Sequence, residues 1–252
     1  MIRWLTISVL LSLLTWGIAQ AESIVLYYSF DGGGGDTVRD ESGNGNDGKL
    51  NGPKWVDGKY GGGLQFEQGD FVQIPASDTL HGDIFKNGEF TLCLWIKPSL
   101  SGDQWQQIWR SVSGDSSRDT LFLNIDGRLS WRGRVGGQWT VMCETDPGIL
   151  AADQWFHVAV VGDKSKFRIY VNGELKKETD FQESDGQIDV FFLGFDNRQW
   201  MERYAGVMDE VCLFAEPLSP DEIAKVMEGA KGFLAVRSEG KLATTWGQLK
   251  VR

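Results

Sequence analysis

Two acidic residues stand where a metal could bind. Asp31 ends a β-rich run, Ile24 to Phe30, and four glycines follow it; Asp209 sits at the start of the last long apolar run, Met208 to Phe214. If the two runs pair as antiparallel strands, the carboxylates come close at one edge. Adjacent carboxylates repel unless a cation or protons intervene. Ca²⁺ takes about six to eight oxygens, typically from carboxylates and backbone carbonyls, and a glycine-rich loop exposes such carbonyls. Asp31 and Asp209 are therefore the expected calcium ligands, in a structural role tying first strand to last. Asp36 and Asp70 are weaker candidates, because loop aspartates commonly form turns. The competing expectation is that Asp31 and Asp209 cap turns by hydrogen bonding.

A second chemistry lies in the tryptophans, of which the chain has 11. Sugars are bound by flat aromatic surfaces lying under their apolar C–H faces, with Arg, Asn, Asp and Gln hydrogen-bonding the hydroxyls. Trp105, Trp109 and Arg110 fall in the polar stretch 101–119, which shows no clean strand pattern. Trp131 and Trp139 fall on neighbouring strands, and side-chain alternation puts Arg132 and Arg134 opposite Trp131. Asn197, Arg198 and Trp200 share a polar loop. The expected ligand-binding residues are thus Trp105, Trp109, Arg110, Arg132, Arg134, Asn197, Arg198 and Trp200. The competing reading is that several of these tryptophans cover the edge of the core, as large aromatics usually do. Trp95 and Trp155 sit in the strongest strands and are expected in the core.

Catalytic constellations are not expected. A retaining glycosidase needs two carboxylates about 5 Å apart. The nearest text, Glu183-Ser184-Asp185-Gly186-Gln187-Ile188, lacks the final acid of a Glu-x-Asp-x-x-Glu strand and falls in a turn. Of the two histidines, His81 is in a loop and His157 is in an apolar strand without a neighbouring nucleophile. No GxSxG, HExxH or phosphate-binding loop occurs. Acids gathered from distant strands are the one route left to a hydrolase or lyase.

The composition fits a folded, exported domain. The chain has 252 residues, 41% hydrophobic and 24% charged, with 32 Gly and a net charge of −10. That excludes global disorder. It also lacks the basic patch a nucleic-acid binder requires. Residues 1–21 match an export signal: Arg3, an apolar stretch from Trp4 to Ile18, then Ala19-Gln20-Ala21 at the cleavage point. That apolar stretch is shorter than the roughly 20 residues of a spanning helix. No second such span follows, so no transmembrane anchor is expected after cleavage. A secreted, periplasmic or cell-surface location is expected. Cys93, Cys143 and Cys212 leave one thiol over after any single disulfide, and their pairing is open.

The elements that must position these residues read as strands and turns. Strands are expected at 24–30, 64–66, 71–74, 90–97, 120–125, 128–134, 138–144, 155–161, 167–171, 174–178, 190–195 and 208–214. Asp126-Gly127 and Asn172-Gly173 are expected hairpin turns. Gln68-Gly69-Asp70 reads as a third, joining 64–66 to 71–74. Residues 36–52 read as a loop, since they hold almost no apolar side chain. The one expected helix begins at Ser219-Pro220-Asp221-Glu222 and closes at Gly229. Residues 231–252 form a tail outside this pattern. This spacing predicts an all-β, two-sheet antiparallel sandwich.

Several segments resemble one family in order along the chain. YYSFDGGGGDTVRDESGNGNDGKL, GKYGGGLQFEQGDFVQIP, FTLCLWIKPS, WFHVAVV, FRIYVNGE and YAGVMDEVCLFAEPLSPDEIAKV are similar to the successive pieces of laminin-G-like (concanavalin A-like) jelly-roll domains of secreted bacterial proteins. The resemblance implies one domain over residues 22–230, with first and last strands meeting, and a calcium ion held by early and late acids, which here match Asp31 and Asp209. The expected function is non-catalytic recognition of an extracellular glycan. Protein–protein adhesion to a cell-surface partner, and a polysaccharide hydrolase or lyase, are the alternatives, since the fold hosts all three.

Overall fold

The computed structural model of the chain describes residues 23–67, 69–114, 116–194 and 202–237. The expected export signal and residues 238–252 therefore lie outside the described residues.

Two antiparallel sheets of eight strands face one another, as expected of a jelly-roll sandwich. The first sheet holds β1 (Ile24–Tyr28), β4 (Lys54–Asp57), β5 (Gly62–Phe66), β7 (Glu89–Pro98), β12 (Phe156–Asp163), β13 (Lys166–Val171), β14 (Glu174–Asp180) and β16 (Gly206–Phe214). The second holds β2 (Thr37–Val38), β3 (Gly48–Asn51), β6 (Phe71–Pro75), β8 (Trp105–Ser113), β9 (Ser116–Asn124), β10 (Leu129–Val135), β11 (Gln138–Glu144) and β15 (Val190–Leu193). First and last strands do pair: Tyr28 lies opposite Val211 and Tyr27 opposite Cys212.

The core between the sheets follows from alternation. Leu94, Ile96, Val158 and Val160 point inward from the first sheet, and Ile74, Leu121, Leu129 and Phe191 from the second. Aromatic rings fill one end. Phe85, from the one-turn helix α1 (Asp83–Lys86), inserts against Phe90 at 4.8 Å and Trp131 at 5.3 Å between ring centroids. Each such pair adds about 0.5–1.5 kcal/mol beyond its buried area.

A second apolar layer covers the outer face of the first sheet. Tyr27, Cys93, Ala159, Cys212 and Phe214 pack there with Leu218, Ile223, Val226 and Phe233. Helix α2 (Pro220–Met227) supplies Ile223 and Val226 and carries a capping box between Ser219 and Glu222, as its first turn predicts. A further helical segment, 230–237, brings in Ala230 and Phe233, so the chain stays in the fold beyond residue 230.

Four sequence expectations change. Residues 64–66 and 71–74 are strands but not a hairpin. β5 pairs with β16 in one sheet and β6 with β15 in the other, so the two runs lie in different layers of the sandwich. The stretch 101–119 is mostly strand. β8 reads irregularly because its register against β9 shifts twice, at Gln107/Trp109 and at Arg110/Val112. The loop 36–52 contains β2 and β3, too short to show a period. Trp95 is buried, but on the outer face of the first sheet under Tyr60, and Trp155 is only half-buried just before β12. The three cysteines are all buried thiols.

One buried acid tests this architecture. Asp119 is enclosed on β9, where its Oδ2 accepts a hydrogen bond from Ser184 Oγ at 3.2 Å. Burial pushes its carboxyl up to about 7 against the weaker opposing effect of Ser184. The unfolded chain releases this proton near pH ~4. Folding therefore takes up a proton between about pH 4 and 7. The stabilising contribution is complete below that window and is lost as pH rises through it, by up to about 1.4 kcal/mol per pH unit. Asp209 and Glu210, also raised by burial, act in the same direction. Asp119→Asn is expected to flatten the pH 4-to-7 decline of urea-unfolding stability relative to the parent. An unchanged slope contradicts a buried, protonated Asp119.

Candidate functional site

The outer face of the second sheet gathers most of the aromatic and cationic residues singled out above. Register defines two rows across it. Val141, Arg132, Thr120, Arg110, Phe192 and Gln73 lie opposite one another on successive strands, and Glu144, Ser130, Phe122 and Gln107 form the row beside them. Trp105, opposite Asn124, extends this face at one end, and Trp139, opposite Arg134, extends it at the other.

These side chains form one packed surface. The Arg132 guanidinium lies 3.9 Å over the Trp105 ring and 5.3 Å from that of Phe122. Trp105 and Trp139 both meet Phe122 edge-on, at 6.1 and 6.2 Å. Arg132 is held from below, its Nε donating to Ser130 Oγ at 2.8 Å and its Nη2 to Glu144 Oε2 at 3.1 Å. Burial would raise the Glu144 carboxyl, but hydrogen bonds from Ser130, Arg132 and Arg128 outweigh it and hold the group below the usual range. On β8, Gln107 Nε2 donates to Glu202 Oε2 at 2.7 Å. Gln107 Oε1 and Thr120 Oγ1 are buried in the same face with no hydrogen-bond partner among the described residues. Trp139 is the open aromatic, 40% exposed.

The expected ligand residues therefore divide. Trp105, Arg110, Arg132 and Arg134 share this face. Trp109 does not: the register shift after Gln107 turns its ring into the core, where it is fully buried and lies 5.4 Å from Phe191. Trp131 is likewise core. Arg110 is almost fully buried, donating to Ser117 Oγ and lying 4.0 Å from Glu202, so it supports the face from beneath. Asn197, Arg198 and Trp200 lie outside the described residues. The residues that flank them, Gly194 and Glu202, are both hydrogen-bonded to β8, at Ile108 and Gln107. The expectations missed Phe122, Gln107, Thr120, Glu144 and Trp139 as members of the face. Alternation was the signal only within a strand, as for Thr120 and Phe122 on β9; Trp139 and Glu144, five apart on β11, share the face because the register shifts between Trp131 and Arg132.

Asp31 and Asp209 do meet one element, the turn 58–62. Asp209 Oδ2 accepts the backbone N–H groups of Lys59 and Tyr60 at 2.8 and 2.9 Å, and its Oδ1 accepts that of Glu210 at 2.7 Å. Asp31 Oδ1 accepts the N–H of Gly62 at 2.9 Å. The two carboxylates thus grip opposite ends of one turn, the capping arrangement that needs no metal. Burial pushes Asp209 up to about 7, with its backbone hydrogen bonds opposing. Among the described residues no group of three or more His, Cys, Asp or Glu is gathered to hold a metal ion. Asp70 caps its own turn at the Glu67 N–H, and Asp36 is an exposed loop residue. His157 is buried against Trp95, with ring centroids 5.5 Å apart.

Comparison with known proteins agrees with this architecture. No curated protein sequence matches the chain. Among solved structures, domain 4 of AbnA, a GH43 extracellular arabinanase from Geobacillus stearothermophilus in complex with arabinotriose, superposes with a TM-score of 0.63 at 17% identity, covering 82% of this chain and 98% of that one. The botulinum neurotoxin serotype D binding domain gives 0.64 at 18% identity, covering 82% of this chain and 52% of that one. The binding domain of Paraclostridial Mosquitocidal Protein 1 gives 0.64 at 15%, covering 81% and 51%. The chain thus spans about half the length of these toxin binding domains. At such identities the likeness is one of fold. The model of the concanavalin A-like lectin/glucanases superfamily matches residues 66–224, more than half of the sequence and most of both sheets, and the chain belongs to that superfamily.

Proposed function

We propose that this protein is an exported, non-catalytic recognition module that binds an extracellular glycan on the outer face of its second sheet. The observation that carries the reading is the Trp105–Arg132–Phe122–Trp139 cluster, a half-exposed aromatic and guanidinium surface flanked by amide, hydroxyl and carboxylate groups. Such a surface matches the two needs of sugar recognition, an apolar platform and hydrogen-bonding tips. One fold neighbour points the same way, a domain in complex with arabinotriose, and a toxin's binding domain fits recognition in general. The superfamily also includes glucanases. On the proposed face the non-catalytic reading is supported by Glu144, whose carboxyl accepts from Arg128 and Arg132 and is held low. A glycosidase acid requires a raised one.

Binding to a glycan array is expected, with Trp139→Ala and Arg132→Ala each weakening affinity by roughly thirtyfold, the scale of a hot-spot residue. Trp109→Ala should act differently, costing about 3–5 kcal/mol of stability through a core cavity. Reducing-sugar release from polysaccharides would support the hydrolase alternative. An array without hits, together with capture of a defined cell-surface protein, would support adhesion.

Calcium belongs to the same proposal. Asp31 and Asp209 lie at the two ends of one turn beside the glycine stretch 32–35. Two carboxylates fall short of the oxygens Ca²⁺ takes, so backbone carbonyls or water must complete the set. A ligand that binds only the folded state raises the melting temperature with concentration. Millimolar Ca²⁺ is expected to raise it, and EGTA to reverse the rise, in the parent but not in Asp31→Asn. An unchanged melting temperature overturns the calcium reading and leaves the turn-capping role.

A further inference from the structure

Cys93 and Cys212 are register partners on neighbouring antiparallel strands, β7 and β16. Directly opposed residues on such strands have Cα atoms about 4.5–5.5 Å apart, inside the window of about 4.4–6.8 Å that a disulfide spans. Both side chains leave the same face of the first sheet, since both belong to the layer with Tyr27, Ala159 and Phe214. Cys143 belongs elsewhere. It lies on β11 in the opposite sheet, packed into the core with its thiol 3.9 Å from the Phe167 carbonyl oxygen. The first sheet therefore separates Cys143 from the other two.

We propose that Cys93 and Cys212 form a cross-strand disulfide site that staples the last strand to the centre of the first sheet, with Cys143 remaining the odd thiol. The oxidant is a disulfide of low molecular weight, such as oxidised glutathione. When Cys93 begins the exchange, it gives up its proton and its thiolate attacks one sulfur of the oxidant, whose S–S bond breaks and releases one thiolate. Cys212 then gives its proton to that thiolate and attacks the Cys93 sulfur, expelling the second half of the oxidant. Two protein thiols lose two protons and two electrons, and one small disulfide becomes two thiols.

In the folded state the two thiols interact: hydrogen bonding with Cys212 holds the Cys93 thiol below its ordinary value against the effect of burial, and the neighbouring His157 adds to the lowering, while burial pushes the Cys212 thiol up. Leu218, Ile223 and Val226, which follow Cys212 in the chain, complete the apolar layer around both sulfurs. Exchange is therefore fast while that layer is open, during folding, and slow once it has closed.

The full chain is unfolded, refolded in a glutathione redox buffer, then denatured with maleimide and weighed intact. One adduct per chain is expected after oxidation and three after reduction, with a Cys93–Cys212 linked peptide in the digest. Cys143→Ala should give none after oxidation and keep the same link. The oxidised protein should melt roughly 5–10 °C above the reduced one, because the bridge closes a long loop of the unfolded chain. In Cys212→Ala that difference should vanish. Three adducts after oxidative refolding, a link through Cys143, or glutathione retained on Cys93 without resolution would each overturn the proposal.

Discussion

The structure turns on the dipeptide Asp209-Glu210, where β16 changes neighbours. Up to Met208 this strand pairs with β5, and from Val211 it pairs with β1, while β7 lines its other side. The register against β7 shifts across the same point, and Glu210 takes a positive φ of 51°. A buried carboxylate is tolerated only when its oxygens are hydrogen-bonded. Asp209 meets that condition with three backbone N–H groups, and so pins the 58–62 turn into the gap between β1 and β5. The turn needs glycine because backbone crowds it: a Cβ on Gly58 would lie 2.1 Å from the Gly62 carbonyl oxygen. Glu210 faces the other way, accepting from Tyr27 Oη at 2.8 Å and from the Ala230 N–H at 2.9 Å. One bulge thereby joins first strand, last strand, the glycine turn and the outer helical layer.

That layer decides which face is left for a ligand. The first sheet buries its outer surface under α2 and the 230–237 segment, with apolar side chains on both sides. The corresponding surface of the second sheet carries arginines, amides and half-exposed rings instead. Its guanidiniums are matched by carboxylates, half-buried Arg132 with Glu144 and buried Arg110 near Glu202. Paired and stacked in this way, Arg132 is oriented before any ligand arrives, which lowers the ordering cost of binding.

Much of the fold was legible because alternation survives where strands are long and regular. The pairs β9–β10 and β13–β14 fall where Asp126-Gly127 and Asn172-Gly173 predicted turns. Legibility failed at bulges. Two register shifts in β8 break its period, so the stretch showed no clean strand pattern, and the first of them reverses the direction of Trp109 relative to the pattern begun at Trp105. It failed again at 67–70, where a short link between two strand-like runs looks like a hairpin although the strands join different sheets. Asp31 and Asp209 were identifiable as neighbours from their places at the end of the first strand and near the start of the last. Their partners, the N–H groups of a turn about 150 residues from Asp209 in sequence, were not.

The sequence by itself determined the fold class and the capped helix near the end, because period, turn residues and caps are local; the pairing of first with last strand, a contact across more than 180 residues, was implied only by the family resemblance. It also placed Arg132 and Arg134 on the side of their strand away from Trp131, since alternation is a property of the strand alone. Tertiary structure alone decided which tryptophans are core and which are surface, what the two acids hold, and which cysteines stand together. Those outcomes depend on bulges and on strand order within each sheet. Both arise from contacts between segments far apart in the chain, and no local pattern encodes them.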